Sequence, residues 1–149
     1  MKSRLFIAAL LSGVLYAPQA SAEPPAVFIH NLYAHYKDAD PWAKGFDPYK
    51  DYYEADFAKL VKAARKKHAI DYDPTCQCKQ GGGNFMMFSG RTGASDSEYL
   101  AKMKKLGEPR GGWTLHLKWV DGGWKIHDVV ETRNGKPVSL RQRLAGTGK

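Results

Sequence analysis

The two cysteines of this 149-residue chain, Cys76 and Cys78, are separated by a single glutamine. In an extended strand, residues i and i+2 lie about 6.6 Å apart, at the upper limit for a disulfide, so a bond between them requires a turn. Pro74 before the pair and the glycines at 81–83 after it favour such a turn. Two thiolates could instead join a histidine and one further ligand in a zinc site, or stay free, or pair with another molecule. A local disulfide is the favoured interpretation, because neither a CxxC nor an HxxxH spacing accompanies the pair.

A second set of candidate residues lies on a predicted β-hairpin over residues 113–130. In the first arm, residues 113–119, tryptophan or leucine alternates with polar side chains. Residues 121–123 have the composition of a turn, and residues 124–130 form the second, antiparallel arm. A two-residue turn at 122–123 places Asp128 on the apolar face, because the strands then pair as Trp119–Ile126, Leu117–Asp128 and Leu115–Val130, and a four-residue turn gives the same faces. A turn with an odd number of residues would instead point Lys125 and His127 inward, and the even turn is favoured because it separates an apolar face from a polar one. That face also carries Trp113, Trp119 and Trp124.

An ionised carboxylate on an apolar face is costly unless hydrogen-bond donors satisfy it, so Asp128 has two interpretations. It is either a structural residue held by backbone amides of a loop or a helix N-terminus, or a general acid or base in a concave pocket. The structural interpretation is favoured, and His116 and His127 are expected on the solvent face. Asp128 and the three tryptophans are candidates for ligand binding. No residue is assigned a catalytic, metal-binding or cofactor-binding role.

Two amphipathic helices are predicted ahead of the hairpin. An apolar stripe indicates a first helix over residues 24–36, and a capping box formed by Asp51 and Glu54 indicates a second helix over residues 51–68. The loop between them carries a further group of candidate binding residues, which comprises Trp42, Phe46 and Tyr49.

The remaining elements are short. Residues 85–88 are predicted as a buried strand, and residues 97–106 as a helix, because Tyr99, Met103 and Leu106 have helical spacing. A turn is expected over residues 108–112 and a closing helix over residues 138–144. Helices followed mainly by antiparallel strands predict an α+β domain, in which the helices pack on a curved sheet closed by the hairpin.

The N-terminus is typical of a secretory signal. It has a short basic start, an apolar run over residues 5–16 and small residues before the expected cleavage point between Ala22 and Glu23. Cleavage leaves residues 23–149 as one domain, and it implies a periplasmic or secreted protein in an oxidising compartment. No cysteine follows the cleavage point directly, so a stable membrane anchor is not expected.

The chain is basic. Its 23 lysines and arginines exceed its 15 acidic residues by 8, and removal of Lys2 and Arg4 with the leader reduces the excess to 6. In an exported protein this charge favours anionic lipid headgroups, cell-wall polymers or an acidic protein as partners, rather than nucleic acid. The expected partner is an unknown envelope protein or a small ligand, and no cofactor is expected.

Two segments, residues 71–78 and 123–130, resemble the DUF3828 family of exported bacterial proteins. The order of the signal, the Phe46-Asp-Pro-Tyr49 segment, the cysteine segment, the hairpin and Ser139-Leu-Arg141 is also similar to that family. The resemblance implies an NTF2-like or cystatin-like fold and brings no agreed activity. Asp73, within the first segment, is a further candidate for ligand binding.

The function predicted from these features is that of a non-catalytic binding or accessory domain. The alternatives are an immunity-type inhibitor whose basic surface docks on an acidic, envelope-targeting toxin, a small-pocket enzyme that uses Asp128 as general acid or base, and a purely structural envelope protein.

Overall fold

The computed structural model describes residues 22–37, 45–79, 82–108 and 111–146. Within these ranges the fold is α+β, and five antiparallel strands form one open sheet in the order in which they occur along the chain. The elements are α1 (Pro25–His35), α2 (Pro48–Asp51), α3 (Ala55–Lys66), β1 (Phe85–Thr92), β2 (Glu98–Lys105), β3 (Trp113–Val120), β4 (Gly123–Arg133), β5 (Lys136–Ser139) and α4 (Leu140–Leu144). Three features predicted from the sequence lie wholly or partly outside the described residues: the leader apart from Ala22, Trp42, and the middle of the turn at 108–112.

The first helix is confirmed and the start of the second is wrong. Pro25 lies in the first turn of α1, where its missing N–H leaves no bond unmade. Asp51 ends the one-turn helix α2, and α3 begins after Glu54, which is its N-cap residue but makes no side-chain capping bond. The predicted capping box is absent because the Glu54 carboxylate contacts His127 and Arg141 instead.

Residues 98–105 form strand β2 and not the predicted helix. Ala101 and Met103 are buried and the half-buried Tyr99 packs against the core, whereas Lys102 between them is exposed, which is the two-residue period of a strand. Tyr99 and Met103 are four residues apart, so their spacing fits a helix as well as a strand. Leu106, the third residue of the supposed helical stripe, lies beyond the strand and is 49% exposed.

The predicted buried strand at 85–88 is the start of β1, which lies at the edge of the sheet. The register shifts between Met87 and Ser89, which leaves Phe88 as the extra residue of a bulge. Phe88 is 51% exposed, so this strand is half-exposed and not buried.

The predicted hairpin is confirmed, with a different register. Its turn is formed by Asp121 and Gly122, which both have positive φ (50° and 82°), as a type I′ turn requires. Trp119 therefore pairs with Trp124. The predicted pairs Trp119–Ile126, Leu117–Asp128 and Leu115–Val130 are wrong.

A bulge at His127 places Asp128 on the other face of the sheet. Leu117 pairs with Ile126, whereas the adjacent His116 pairs with Asp128, so His127 is the extra residue on β4. Paired residues share a face, and Asp128 consequently lies with His116 and away from the tryptophans and leucines. The prediction that Asp128 lies on the apolar face is therefore wrong.

Helices α1 and α3 cover the apolar face of the sheet. Leu115, Leu117 and Ile126 are fully buried in one cluster with Leu32 of α1 and Phe57 of α3. The β3–β4 part of this face, where a ligand site was predicted, is thus filled by the side chains of the protein itself.

Candidate functional site

The cysteines lie in a tight loop over residues 73–78. The N–H of Asp73 donates to the carbonyl oxygen of Cys78 at 2.7 Å, which closes the loop as a β-bridge. The turn brings the Cα atoms of Cys76 and Cys78 to 5.1 Å, and their sulfur atoms lie at disulfide-bonding distance. Gln77 adopts a positive φ of 51°, and its side-chain amide donates to the carbonyl oxygen of Pro74 at 2.9 Å. The turn that a local disulfide requires is confirmed.

Asp73 lies at the centre of a buried hydrogen-bond network, with 1% of its surface exposed. Its carboxylate accepts from the Tyr36 hydroxyl at 2.5 Å and from the Thr75 N–H at 2.8 Å. The carbonyl oxygen of Thr75 accepts from the Tyr33 hydroxyl at 2.5 Å, and the Thr75 hydroxyl is bonded to that of Tyr53 at 2.8 Å. The network therefore ties the loop to α1 and to the segment between α2 and α3.

Burial controls ionisation in this network. Desolvation raises the pKa of Asp73, against the opposing effect of the hydrogen bonds that its oxygens accept. Desolvation also raises the pKa values of Tyr33, Tyr36 and Tyr53 well above the ordinary value for tyrosine. The phenols therefore stay protonated, and the geometry is that of a structural tie. A ligand could reach Asp73 only by displacing the loop.

Asp128 is held by β5 and α4. One of its oxygens accepts from the Ser139 hydroxyl at 2.5 Å, and the other accepts from the backbone N–H groups of Arg141 and Val129, each at 2.8 Å. Arg141 lies in the first turn of α4, so Asp128 satisfies a donor that the helix would otherwise leave unpaired. Asp128 is 7% exposed and lines none of the three clefts described below. This arrangement matches the structural interpretation.

The three tryptophans do not surround one cavity. Trp119 and Trp124 pack edge to face with ring centroids 5.3 Å apart. The indole N–H of Trp124 donates to the carbonyl oxygen of Glu23 at 2.7 Å, and that of Trp113 donates to the Tyr33 hydroxyl at 3.2 Å. Glu23, the expected first residue after cleavage, is thereby held against β4.

Tyr49 lies apart from the other candidates, on a groove of about 750 Å³ between α3 and the β3–β4 turn. Its hydroxyl accepts from Arg65 at 2.7 Å, and the Lys62 ammonium lies 5.8 Å from its ring centroid. Burial raises the pKa of Tyr49, so the phenol is neutral. Phe46, from the same candidate loop, stacks on His35 with centroids 4.2 Å apart.

Sequence reasoning missed a buried acid, Glu131, which lies beside the cysteine loop. It is 4% exposed and accepts from the Tyr72 hydroxyl, from the Gln77 amide at 3.3 Å, and from Arg133 and Arg143 at 3.1 and 3.3 Å. Desolvation, followed by the bond to Glu131, raises the pKa of Tyr72 to about 12. All members of this cluster except Arg143 line a cleft of about 470 Å³, and the hydrogen bonds within the cluster fasten the loop to β4.

A smaller cleft, of about 250 Å³, lies between α1 and the edge strand β1. Seven of its ten lining residues are apolar or aromatic, namely Ala26, Ile29, Tyr33, Ala34, Phe85, Met87 and Met103, and the other three are His30, Lys37 and Asn84. Within the described ranges β1 pairs with β2 alone, so the cleft adjoins an edge strand whose other side is unpaired in those ranges.

No protein-family model matches the chain, and no curated protein and no solved structure is significantly similar to it. In the described part of the chain, none of the helices has the length and apolar character needed to span a bilayer. The same residues contain no group of three or more histidine, cysteine or acidic side chains placed to hold a metal ion.

Proposed function

We propose that this protein is an exported, non-catalytic binding domain that holds an extended peptide segment of an envelope protein in the cleft between α1 and β1. The observation that carries the proposal is the position of this cleft against the edge strand of the sheet. An edge strand presents N–H and C=O groups that can pair with a further strand, and a neighbouring pocket can then accept alternate side chains.

The size and lining of the cleft indicate the chemistry of the ligand. A volume of about 250 Å³ is below the roughly 300–1,000 Å³ of pockets that enclose whole small molecules, which favours an apolar side chain of a longer chain. His30 and Lys37 lie on the α1 side of the cleft and can donate hydrogen bonds to an acidic group of the same peptide.

The buried acids support binding rather than catalysis. Asp73, Asp128 and Glu131 each accept at least two hydrogen bonds from the protein, and a general acid or base must have its oxygen within reach of the substrate. The proposal of export is supported by the N-terminal leader. The proposal of an NTF2-like fold and of DUF3828 membership is supported by the resemblance of residues 71–78 and 123–130 to that family. An inhibitor of an envelope toxin would be one case of this function, with the bound peptide being part of the toxin.

Selection from a library of phage-displayed linear peptides, with the purified protein as bait, tests the proposal. Ala34 is exposed on α1 and lines the cleft, so Ala34→Trp fills the cleft without disturbing the core. Ala63→Trp is the matched control, since Ala63 is exposed on α3 and lies outside the cleft. We expect the selected peptides to be rich in apolar residues, to bind at least about tenfold more weakly to Ala34→Trp, and to bind normally to the control.

Hydrogen exchange gives an independent measurement, because strand addition should slow exchange of β1 amides when a selected peptide is bound. The proposal fails if the library yields no binding peptide, or if Ala34→Trp binds the peptides as tightly as the wild type. Hydrolysis of a bound peptide, detected by mass spectrometry, would refute the non-catalytic part.

A further inference from the structure

The face of the sheet opposite the helices, which we call the outer face, carries five residues that form a patch at its β1–β2 end. The β1–β2 patch consists of Met86, Phe88, Arg91, Lys102 and Lys104. Met86 pairs with Lys104 across the two strands, and the Lys104 ammonium lies 5.7 Å from the ring centroid of Phe88. These contacts place Phe88, the extra residue of the β1 bulge, on the outer face.

Within the described ranges no acidic side chain contacts the positive charges of this patch, whereas other lysines of the outer face have an ion pair or a hydrogen bond. Lys118 on β3 contacts Glu98 at 3.5 Å, and Lys125 on β4 donates to a backbone carbonyl oxygen at 2.7 Å. Arg91 and Lys102 are exposed and have no ion pair or hydrogen bond with any residue in the described ranges.

The same patch carries apolar surface that the fold leaves unburied. Phe88 is 51% exposed and Met86 is 38% exposed, and both belong to the small group of large apolar residues that are exposed in the described chain. Isolated exposed apolar residues are common. Here two of them lie among three basic side chains, and the resulting surface fits a partner that offers both negative charge and apolar contact.

We propose that the β1–β2 patch docks reversibly on an anionic phospholipid surface. Arg91, Lys102 and Lys104 then lie at the headgroup phosphates, and Phe88 and Met86 enter the boundary with the acyl chains. The charge of the patch complements anionic lipid. A bilayer also supplies an apolar layer below the charged one, which the folded surface of an acidic protein does not. This inference is independent of the peptide cleft, which lies on the opposite face of β1.

Co-sedimentation with lipid vesicles tests this inference. The probes are vesicles of phosphatidylglycerol and phosphatidylethanolamine, and vesicles of phosphatidylcholine alone. Lys102→Gln/Lys104→Gln removes two charges from the patch, and Lys66→Gln/Lys67→Gln removes two exposed charges from the C-terminal end of α3, on the opposite side of the sheet. Phe88→Ser removes apolar surface at constant charge.

We expect binding to the anionic vesicles only, with weakening at high salt. The patch double variant should lose about 25-fold in affinity, which corresponds to about fivefold per basic residue at the membrane surface, and the α3 double variant should lose far less. Phe88→Ser should also bind more weakly.

Three results would overturn the inference. They are no binding to anionic vesicles at low salt, equal losses in the two double variants, and binding to soluble polyglutamate that Phe88→Ser leaves unchanged. The last result would indicate an acidic protein as the partner. Circular dichroism should show that each variant is folded, because the substituted residues are exposed, or partly exposed in the case of Lys104.

Discussion

The Tyr36→Phe substitution removes one hydrogen-bond donor from the buried network and leaves the aromatic ring in place. The Tyr36 hydroxyl donates to an oxygen of Asp73 at 2.5 Å, and both residues are almost completely buried. Without this hydroxyl, the Asp73 oxygen faces the protein interior with one donor fewer. The ring still packs against Phe46 and Phe85, so the change isolates the polar contribution.

The expected loss of stability follows from the burial and the charge. A hydrogen bond to a charged group contributes about 1.5–3 kcal/mol, and a buried acceptor left without its partner costs a similar amount. We therefore expect Tyr36→Phe to lower the free energy of unfolding by about 2 kcal/mol at neutral pH. In a domain of this size that loss lowers Tm by about 6–10 °C.

Urea unfolding followed by tryptophan fluorescence measures this loss. Tyr99→Phe is the matched control, because the half-buried Tyr99 makes no hydroxyl hydrogen bond within the described chain, and it should change stability by less than about 0.5 kcal/mol. The Tyr36 bond lowers the pKa of Asp73, so the loss should be greatest where Asp73 is ionised. It should decrease toward about 1 kcal/mol as the pH falls and Asp73 becomes protonated in the native state.

Two results would refute this reasoning. If Tyr36→Phe and Tyr99→Phe behaved alike, the Tyr36 hydroxyl would contribute no net stability. If the loss did not change between neutral pH and a pH low enough to protonate Asp73, Asp73 would not be the charged partner of the hydroxyl.

Three further outcomes are expected. The folded-state pKa of Asp73 is raised, so the contribution of Asp73 to stability should fall as the pH rises from its unfolded pKa of about 3.9 toward its folded pKa. Urea titrations across this range should therefore show Asp73→Asn gaining stability relative to the wild type, and a constant difference between the two proteins would contradict this. Reduction of the Cys76–Cys78 bond with a phosphine should lower the free energy of unfolding by only about 1.5 kcal/mol, because the closed loop has three residues. Scanning calorimetry of the reduced protein checks this, and unfolding already at room temperature would contradict it. Ser139→Ala removes both a hydrogen-bond donor to Asp128 and the side-chain acceptor that caps the N-terminus of α4. It should lower the free energy of unfolding by about 1–2 kcal/mol and speed hydrogen exchange in α4. Unchanged exchange in α4 would contradict the structural role of Asp128.

The strongest periodic patterns predicted their elements correctly. The apolar stripe of α1 and the alternation of β3 each extend over seven residues or more, and the Asp121-Gly122 pair is a characteristic hairpin turn. The strand β2 was predicted as a helix because Tyr99 and Met103 satisfy both periods. Pairing with β1 and β3 decides between the two, and neither partner can be inferred from residues 98–105 alone.

The positions of the candidate site residues were harder to predict, because a bulge changes the face of the sheet on which the residues after it lie. An alternating sequence pattern predicts the face of each side chain only where the two strands pair regularly. The extra residue His127 places Asp128 on the face opposite to the one predicted. The acids that are buried with their donors around the cysteine loop, Asp73 and Glu131, bond to residues as far as 59 positions away in the chain. A single sequence does not show such distant partners, so only the resemblance in the first segment singled out Asp73, and no pattern singled out Glu131.

Tyr33 connects the buried network to the proposed peptide cleft. Its hydroxyl donates to Thr75 and accepts from Trp113, whereas its ring forms part of the cleft wall on α1. The loop that holds Thr75 is closed by the cysteine pair, so the position of α1 relative to β1 depends on the same bonds that bury Asp73. A polar network is costly to bury unless every member is satisfied, and it then favours one arrangement of the elements that it joins. The network therefore holds in place the two walls of the proposed peptide cleft, which it lines only through Tyr33. Under this proposal, Asp73 at the centre of the network affects peptide binding without contacting the peptide.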